Sequence, residues 1–436
     1  MNKTVLAATF ATLVAASAFA ADPAAIDWSK IPSTKVTLFY PGQSTYEWLL
    51  NDHGGTKGKE SKGKAAVKNG QTCVKCHEDE EPQLGENLVK SGPIEPAAIP
   101  GKNGHVDLAV QAAYDATNAY LRFQWKTHGA AGVEYPYYRF DGKQWKVYGG
   151  PRLDQDIRDG KQPAIYEDRL SVMLDDGKVP LFAKQGCWLT CHDGERDTAK
   201  PVTKEQAAAN PLLKAIKKDD VRKYLPSTRS NPSDWSSGKS VEEIEKIKAA
   251  GGFLDLIQWR AHRSNPVGMA DDGYVLEYRN FDAGKNPFAS NLDKDTNQPK
   301  FMFDAAKAGG KAVTADQVFK KEHFLIRGVN AVAFDPNAGW KEGDMLPRYV
   351  LSDADASGSA ADNKAAGSWK DGTWTVVVIR PLGLTNSDDK ALKQGGVYSV
   401  GFAVHDDNVT TRGHFVSFPT TLGLGAKAAI EAVKLP

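Results

Sequence analysis

Cysteine is scarce: the 436-residue chain holds four, Cys73, Cys76, Cys187 and Cys191. So few cannot staple a chain of this length, and the fold has to rest on a buried core. Neither sign of charge dominates, with 55 Lys and Arg against 54 Asp and Glu. That excludes a global field for nucleic acid or an anionic membrane, so any electrostatic docking is local. Beyond the leader no stretch approaches the roughly 18 consecutive apolar residues of a membrane helix. The G-x-S-x-G, P-loop, G-x-G-x-x-G and H-E-x-x-H patterns are all missing, which removes the short signatures of the hydrolases, nucleotide binders and metalloproteases that carry them.

What is present begins with Lys3, an apolar run from Val5 to Phe19 and the small-x-small stretch Ala18-Phe19-Ala20. Residues 1–20 therefore read as a cleavable export signal, which places the mature protein in the periplasm as a soluble chain. Its length exceeds the roughly 250–300 residues at which a single core stops growing. Residues 21–103 are rich in Gly, Pro and Lys and poor in apolar periodicity. Residues 104–436 carry the strand patterns.

The spacing of the cysteines says more than their count. Cys73-Val74-Lys75-Cys76-His77 is C-x-x-C-H. Two thiols at this spacing reach the two vinyl groups of one haem, and the adjacent imidazole is delivered to the iron. Behind an export signal, without a second C-x-x-C or paired histidines nearby, zinc or a redox dithiol fits less well. Cys187-Trp188-Leu189-Thr190-Cys191-His192 has one residue more. If that residue bulges outward, both sulfurs and His192 can still meet a haem; the alternative is a small disulfide loop beside an unrelated histidine. The expectation is two covalently bound haem c groups, with Cys73, Cys76, Cys187 and Cys191 as attachment points and His77 and His192 as iron ligands.

The sixth ligands have to come from elsewhere. His53, between Asp52 and Gly54, suits the first haem because it lies upstream in the same segment. His405, His262 and Met173 are candidates for the second, and Met173 also reads as a core residue on an alternating strand. Two closed axial positions leave an iron that only passes electrons, whereas an open one is a candidate catalyst. The acidic run Glu78-Asp79-Glu80-Glu81 reads as a wet face that could also steer a basic redox partner. Asp353 to Gly358 starts like a calcium loop, but Lys364 stands where the bidentate glutamate belongs, so it reads as a polar turn.

Strand alternation is clear in VDLAVQAAYD (106–115) and AYLRFQWK (119–126), a hairpin about Asp115 to Asn118, and a second hairpin turns at Asp141-Gly142. Further strands are expected at 168–174, 253–260, 273–279, 374–380 and 397–405. Helices are expected at 211–225 and, from the capping box Ser240-Val241-Glu242-Glu243, up to Gly251, within a helical insertion at about 203–251. The fold class is mainly β: an antiparallel β-sandwich with a small irregular and α-helical N-terminal segment and a few inserted helices.

Four stretches carry a resemblance: YEDRLSVMLDDG, DLIQWRAHRSNPVGMADDGYV, GSWKDGTWTVVVIRPL and GFAVHDDNVTTRGHFVSFP. They resemble the ethylbenzene dehydrogenase gamma-subunit family, the haem-binding domains that accompany periplasmic molybdenum enzymes of the dimethyl sulfoxide reductase type. The resemblance covers residues 104–425, and the N-terminal segment resembles only the larger c-type cytochrome members. In the simple gamma subunits a methionine and a lysine hold a non-covalent haem. Here the chain has its own C-x-x-x-C-H, and His414 falls where the family's C-terminal lysine ligand aligns, so the resemblance implies His414 as the second haem's sixth ligand. It also implies electron relay between a redox enzyme, such as a molybdenum oxidoreductase, and other carriers, with redox proteins as partners and no nucleic acid. An electron-transfer protein is thus expected rather than an enzyme in its own right. The competing classes are a dihaem peroxidase or small-anion reductase with one open haem, and a haem-based sensor.

Overall fold

A computed structural model describes residues 25–42, 44–50, 62–92, 95, 98–192, 202–409 and 413–436. His53 and the leader lie outside the described residues, as do 193–201, which follow the second cysteine motif.

Among the described residues, thirteen strands join in one sheet. In chain order they are β1 (Thr34–Phe39), β2 (His105–Tyr114), β3 (Asn118–Lys126), β4 (Arg169–Asp175), β5 (Leu254–Arg260), β6 (Gly273–Val275), β7 (Arg279–Phe281), β8 (Lys364–Lys370), β9 (Thr373–Pro381), β10 (Val397–His405), β11 (His414–Val416), β12 (Thr420–Leu424) and β13 (Ile430–Lys434). The main path runs β8-β9-β3-β2-β1-β11-β10-β4-β5-β6-β7. β12 and β13 bridge β10 back to β2, so β1, β2, β13, β12, β10 and β11 form a closed ring of six. The pairs β2/β13 and β12/β13 are parallel and the rest of the ring is antiparallel. Closure leaves these strands no free edge. Alternation tells which side chains share a face, and it reads alike for stacked sheets and for one that closes on itself.

The expected strands are present to within a residue or two, and 273–279 resolves into the hairpin β6/β7. The β2/β3 turn is held by Asp115 Oδ1, which accepts from the amides of Thr117 and Asn118, both at 2.7 Å. The hairpin at Asp141-Gly142 joins Tyr137–Phe140 to Trp145–Tyr148. The alternating faces of β2, β3, β5 and β9 meet in one core, where Trp125, Trp259 and Trp374 pack with centroids 4.9 to 6.3 Å apart. Each such contact adds about 0.5–1.5 kcal/mol to area burial.

One expectation changes. The capping box at Ser240 opens a helix over Val241–Ala249 as the pattern requires. The helix behind Asn210, however, covers only Pro211–Ala215, not 211–225. Lys217 turns to φ 56°, and the following chain leaves the helical path so that Leu225 N–H can donate to Leu276 O at 2.6 Å. The N-terminal segment also shares its first strand with the main sheet: all of β1 pairs with β2, and Phe39 pairs with Val416 of β11. No helix among the described residues is long and apolar enough to cross a membrane.

Candidate haem-attachment centre

The two cysteine motifs are brought together. The first lies on a one-turn helix, Val74–His77, and the second on a 3-10 turn, Gly186–Thr190. Cys73 N–H donates to Lys184 O at 3.1 Å, and Gln185 Nε2 donates to Val67 O at 2.9 Å. Cys73 and Cys187 belong to one apolar cluster with Phe39, Trp188, Val416 and Phe418. Among the described residues no disulfide joins the four cysteines. Burial pushes the Cys73 thiol up to about 11.

The additional residue between Cys187 and Cys191 does not bulge outward. Trp188, Leu189 and Thr190 are all buried. Trp188 stacks on Phe39 at 5.2 Å and donates from Nε1 to Ser44 Oγ at 3.1 Å. Thr190 Oγ1 donates to Cys187 O at 2.9 Å, and Cys191 N–H closes the turn on Trp188 O. The three-residue spacing winds inward because its middle residues are core residues. Gly186 starts this turn at φ 57°, and a Cβ there would lie 2.8 Å from Pro419 Cδ.

Both motif histidines hold a carboxylate at Nδ1. His77 Nδ1 is 2.8 Å from Glu80 Oε2 in a half-exposed pair. His192 Nδ1 is 2.6 Å from Glu47 Oε1, with the His192 side chain wholly buried. Burial pushes the Glu47 carboxyl up, but His192 and the Tyr224 hydroxyl outweigh it and hold it below the usual range. A carboxylate at Nδ1 fixes ring orientation and raises the basicity of Nε2, as in metal-ligand histidines generally. Nε2 of His192 lies 2.7 Å from Tyr224 O, and the ring stacks on Tyr224. Iron ligation by His192 therefore requires exchange of the Tyr224 carbonyl contact.

A cleft of about 480 Å³ opens beside the second motif. Cys187, Met173, His405 and His414 all line it. His405 and His414 are cross-strand partners on β10 and β11, with ring centroids 5.1 Å apart. Burial, reinforced by Arg169, Lys102 and Arg260, drives the His405 pKa well below its ordinary value, so the ring is neutral. Its Nδ1 is buried without a hydrogen-bond partner. Gly401 of β10 faces Cys187: a Cβ there would come within 3.0 Å of the Cys187 sulfur and 3.4 Å of Phe182 Cζ. Arg169, Arg222, Lys223, Arg260, Arg263 and Arg279 give the cleft a cationic lining. A partnerless imidazole nitrogen, a glycine opposite a thiol and guanidinium groups suited to carboxylates together fit a haem with its propionates. His414, which the resemblance implies as a ligand, is among the residues that line this cleft.

The other candidates fall elsewhere. Met173 lines the cleft, but its sulfur is 4.0 Å from the Thr190 hydroxyl and its side chain packs in a second apolar cluster. His262 is buried 3.9 Å from Glu134, and it is not among the residues of the cleft wall. Asp355 of the calcium-like turn pairs with Arg327, consistent with a polar surface loop. Sequence reasoning missed Glu47, Tyr224 and Gly401. Glu47 and Tyr224 reach His192 from 145 and 32 residues away, and no local pattern announces such contacts.

The fold and the centre define a member of a known family: the chain belongs to the ethylbenzene dehydrogenase family, which it matches over residues 25–417. Among individual proteins it is similar to cytochrome c-552 of Stutzerimonas stutzeri, 28% identical over 438 aligned residues that cover the whole of both chains. It is also similar to cytochrome c-551 of Rhodocyclus tenuis, 30% identical over 172 residues, which cover 39% of this chain and 56% of that protein.

Proposed function

We propose that this protein is a periplasmic dihaem c-type cytochrome that relays single electrons between a redox enzyme and other carriers. The observation that carries the reading is the docking of the two attachment motifs on each other, through the Cys73 amide on Lys184 and the shared cluster of Cys73 and Cys187. The cytochrome names of two relatives and membership of a family that includes partners of molybdenum enzymes support it. Haem c, when bound, supplies one-electron iron chemistry.

In this reading the chain's residues have separable tasks. Cys73 and Cys76 anchor one group and Cys187 and Cys191 the other. Glu80 and Glu47 orient His77 and His192 as ligands. His414 takes the second sixth position with His405 beside it, and His53 takes the first. Trp188, Phe39, Phe418 and Val416 keep water out of the space between the motifs. The cationic lining of the cleft receives carboxylates. Exposed Glu78, Asp79 and Glu80 next to the first motif present a negative face to a basic partner. The segment 21–103 serves as the first haem's holder and 104–436 as the second's.

The test is ligand access. Visible and magnetic spectra of the purified protein are expected to show two low-spin haems, unchanged by carbon monoxide or cyanide. A high-spin haem that binds either would overturn the carrier reading in favour of a dihaem enzyme or a sensor. His414→Ala is expected to turn one haem high-spin with its covalent attachment intact.

A further inference from the structure

A second centre lies away from the cysteine motifs, at the end of the sheet where β5 starts, β6 starts, β7 ends and the loop after β9 returns. Asp255, Asp272 and Asp389 there each offer a carboxylate oxygen within 4.8 Å of the others, and all three are buried. Arg380, wholly buried on β9, reaches Asp272 Oδ2 at 2.6 Å, Asp389 Oδ1 at 3.0 Å and Asp255 Oδ2. One guanidinium, however, does not balance the site. Asp282 is 6% exposed, and neither of its carboxylate oxygens has a hydrogen-bond partner. The groups that act on it electrostatically are Asp272, Asp255, Asp388 and Asp389. Asp255 Oδ1 and Asp362 Oδ1 are likewise buried without a partner.

Three carboxylates, Asp255, Asp272 and Asp389, therefore share one guanidinium, and the buried Asp282 beside them has no cation or hydrogen-bond donor of its own. An isolated buried charge costs several kcal/mol, and it is retained only when paired, protonated or bound to a metal. The donors are all hard oxygens, with no sulfur or imidazole in the cluster. Several carboxylates with room for carbonyls and water suit a cation that takes six to eight oxygens at 2.3–2.6 Å, whereas zinc prefers nitrogen and sulfur.

We propose that the carboxylates of Asp255, Asp272, Asp282 and Asp389 bind one calcium ion, which pins β5, β6 and β7 to the loop that carries Asp388 and Asp389. The site is distinct from the polar turn at Asp353, and it does not depend on the haem assignment.

The experiment uses the intact holoprotein. Protein stripped with EGTA and dialysed is titrated with calcium chloride by calorimetry, its metal content is measured by elemental mass spectrometry, and thermal unfolding is followed with and without the ion. About one calcium per chain, a raised unfolding temperature and an unchanged visible haem spectrum are expected. Asp282→Asn is expected to weaken binding by at least about tenfold, since affinity follows ligand charge. If that variant does not fold, Asp362→Asn at the rim is the second probe. No calcium bound by the wild type, a stability that rises on acidification and ignores calcium, or undiminished binding in a folded Asp282→Asn would each overturn the proposal.

Discussion

Glu47 is the most informative residue to change, because one carboxylate holds His192 from the side away from the candidate ligand nitrogen. Its Oε1 is 2.6 Å from His192 Nδ1 and also accepts the Tyr224 hydroxyl, while the Glu47 and His192 side chains are both buried. In Glu47→Ala the imidazole and the phenol both lose their acceptor. Leaving a buried donor without its acceptor costs about 1–3 kcal/mol for each of the two groups. Glu47→Gln keeps the shape but replaces a charge-assisted bond by a neutral one, a difference of about 1 kcal/mol. In a one-electron couple a tenfold change, about 1.4 kcal/mol, corresponds to about 59 mV. If His192 is an iron ligand, a less basic imidazole stabilises the ferric form less, and one haem potential should rise by about 40 mV. Denaturant unfolding of both variants, with a spectroelectrochemical titration of Glu47→Gln, checks the argument. A Glu47→Ala protein within about 0.5 kcal/mol of wild type, or a Glu47→Gln protein with both potentials unmoved, would refute it.

Other expected outcomes follow the same geometry. Gly401→Val places methyl groups into the Cys187 sulfur and Phe182, so haem content should fall from two groups to one, with about 1–3 kcal/mol of overpacking, read by haemochrome assay and unfolding. Arg380→Met leaves Asp255, Asp272 and Asp389 without their shared cation and should cost about 3–5 kcal/mol in EGTA-containing buffer, measured by denaturant unfolding. Burial lowers the His262 pKa to about 4, so above its unfolded value of about 6.5 the neutral ring costs nothing. As pH falls through the window from about 6.5 to about 4, the unfolded chain takes up the proton first and stability drops. At pH 5 the loss from this group is about 2 kcal/mol, and His262→Phe should flatten the profile by that amount in unfolding curves at pH 7 and pH 5.

How much of this was legible in the sequence depended on distance along the chain. The strands were legible because alternation is local, as in Val397–His405, and so were the turn at Asp115 and the capping box at Ser240. The closure of six strands was not, because it depends on one register contact, Phe39 with Val416, and on two parallel pairs made by the last strands. The cysteine motifs stood out by spacing alone, and His414 by resemblance. That Cys187 and His414 line one cleft with His405 required the fold. The helix expected at 211–225 failed because propensity did not register Leu225 pairing with Leu276. The buried aspartates are scattered from Asp255 to Asp389, so no window of sequence contains them together.

The central claim is that Cys73, Cys76, Cys187 and Cys191 hold two haems. Intact mass and a denatured haemochrome spectrum of the exported protein test it most directly, alongside a Cys187→Ala/Cys191→Ala variant. The account predicts two covalently attached haems in the wild type and one in the variant. A wild-type protein with one covalent haem or none, or a double variant that keeps both, would contradict it.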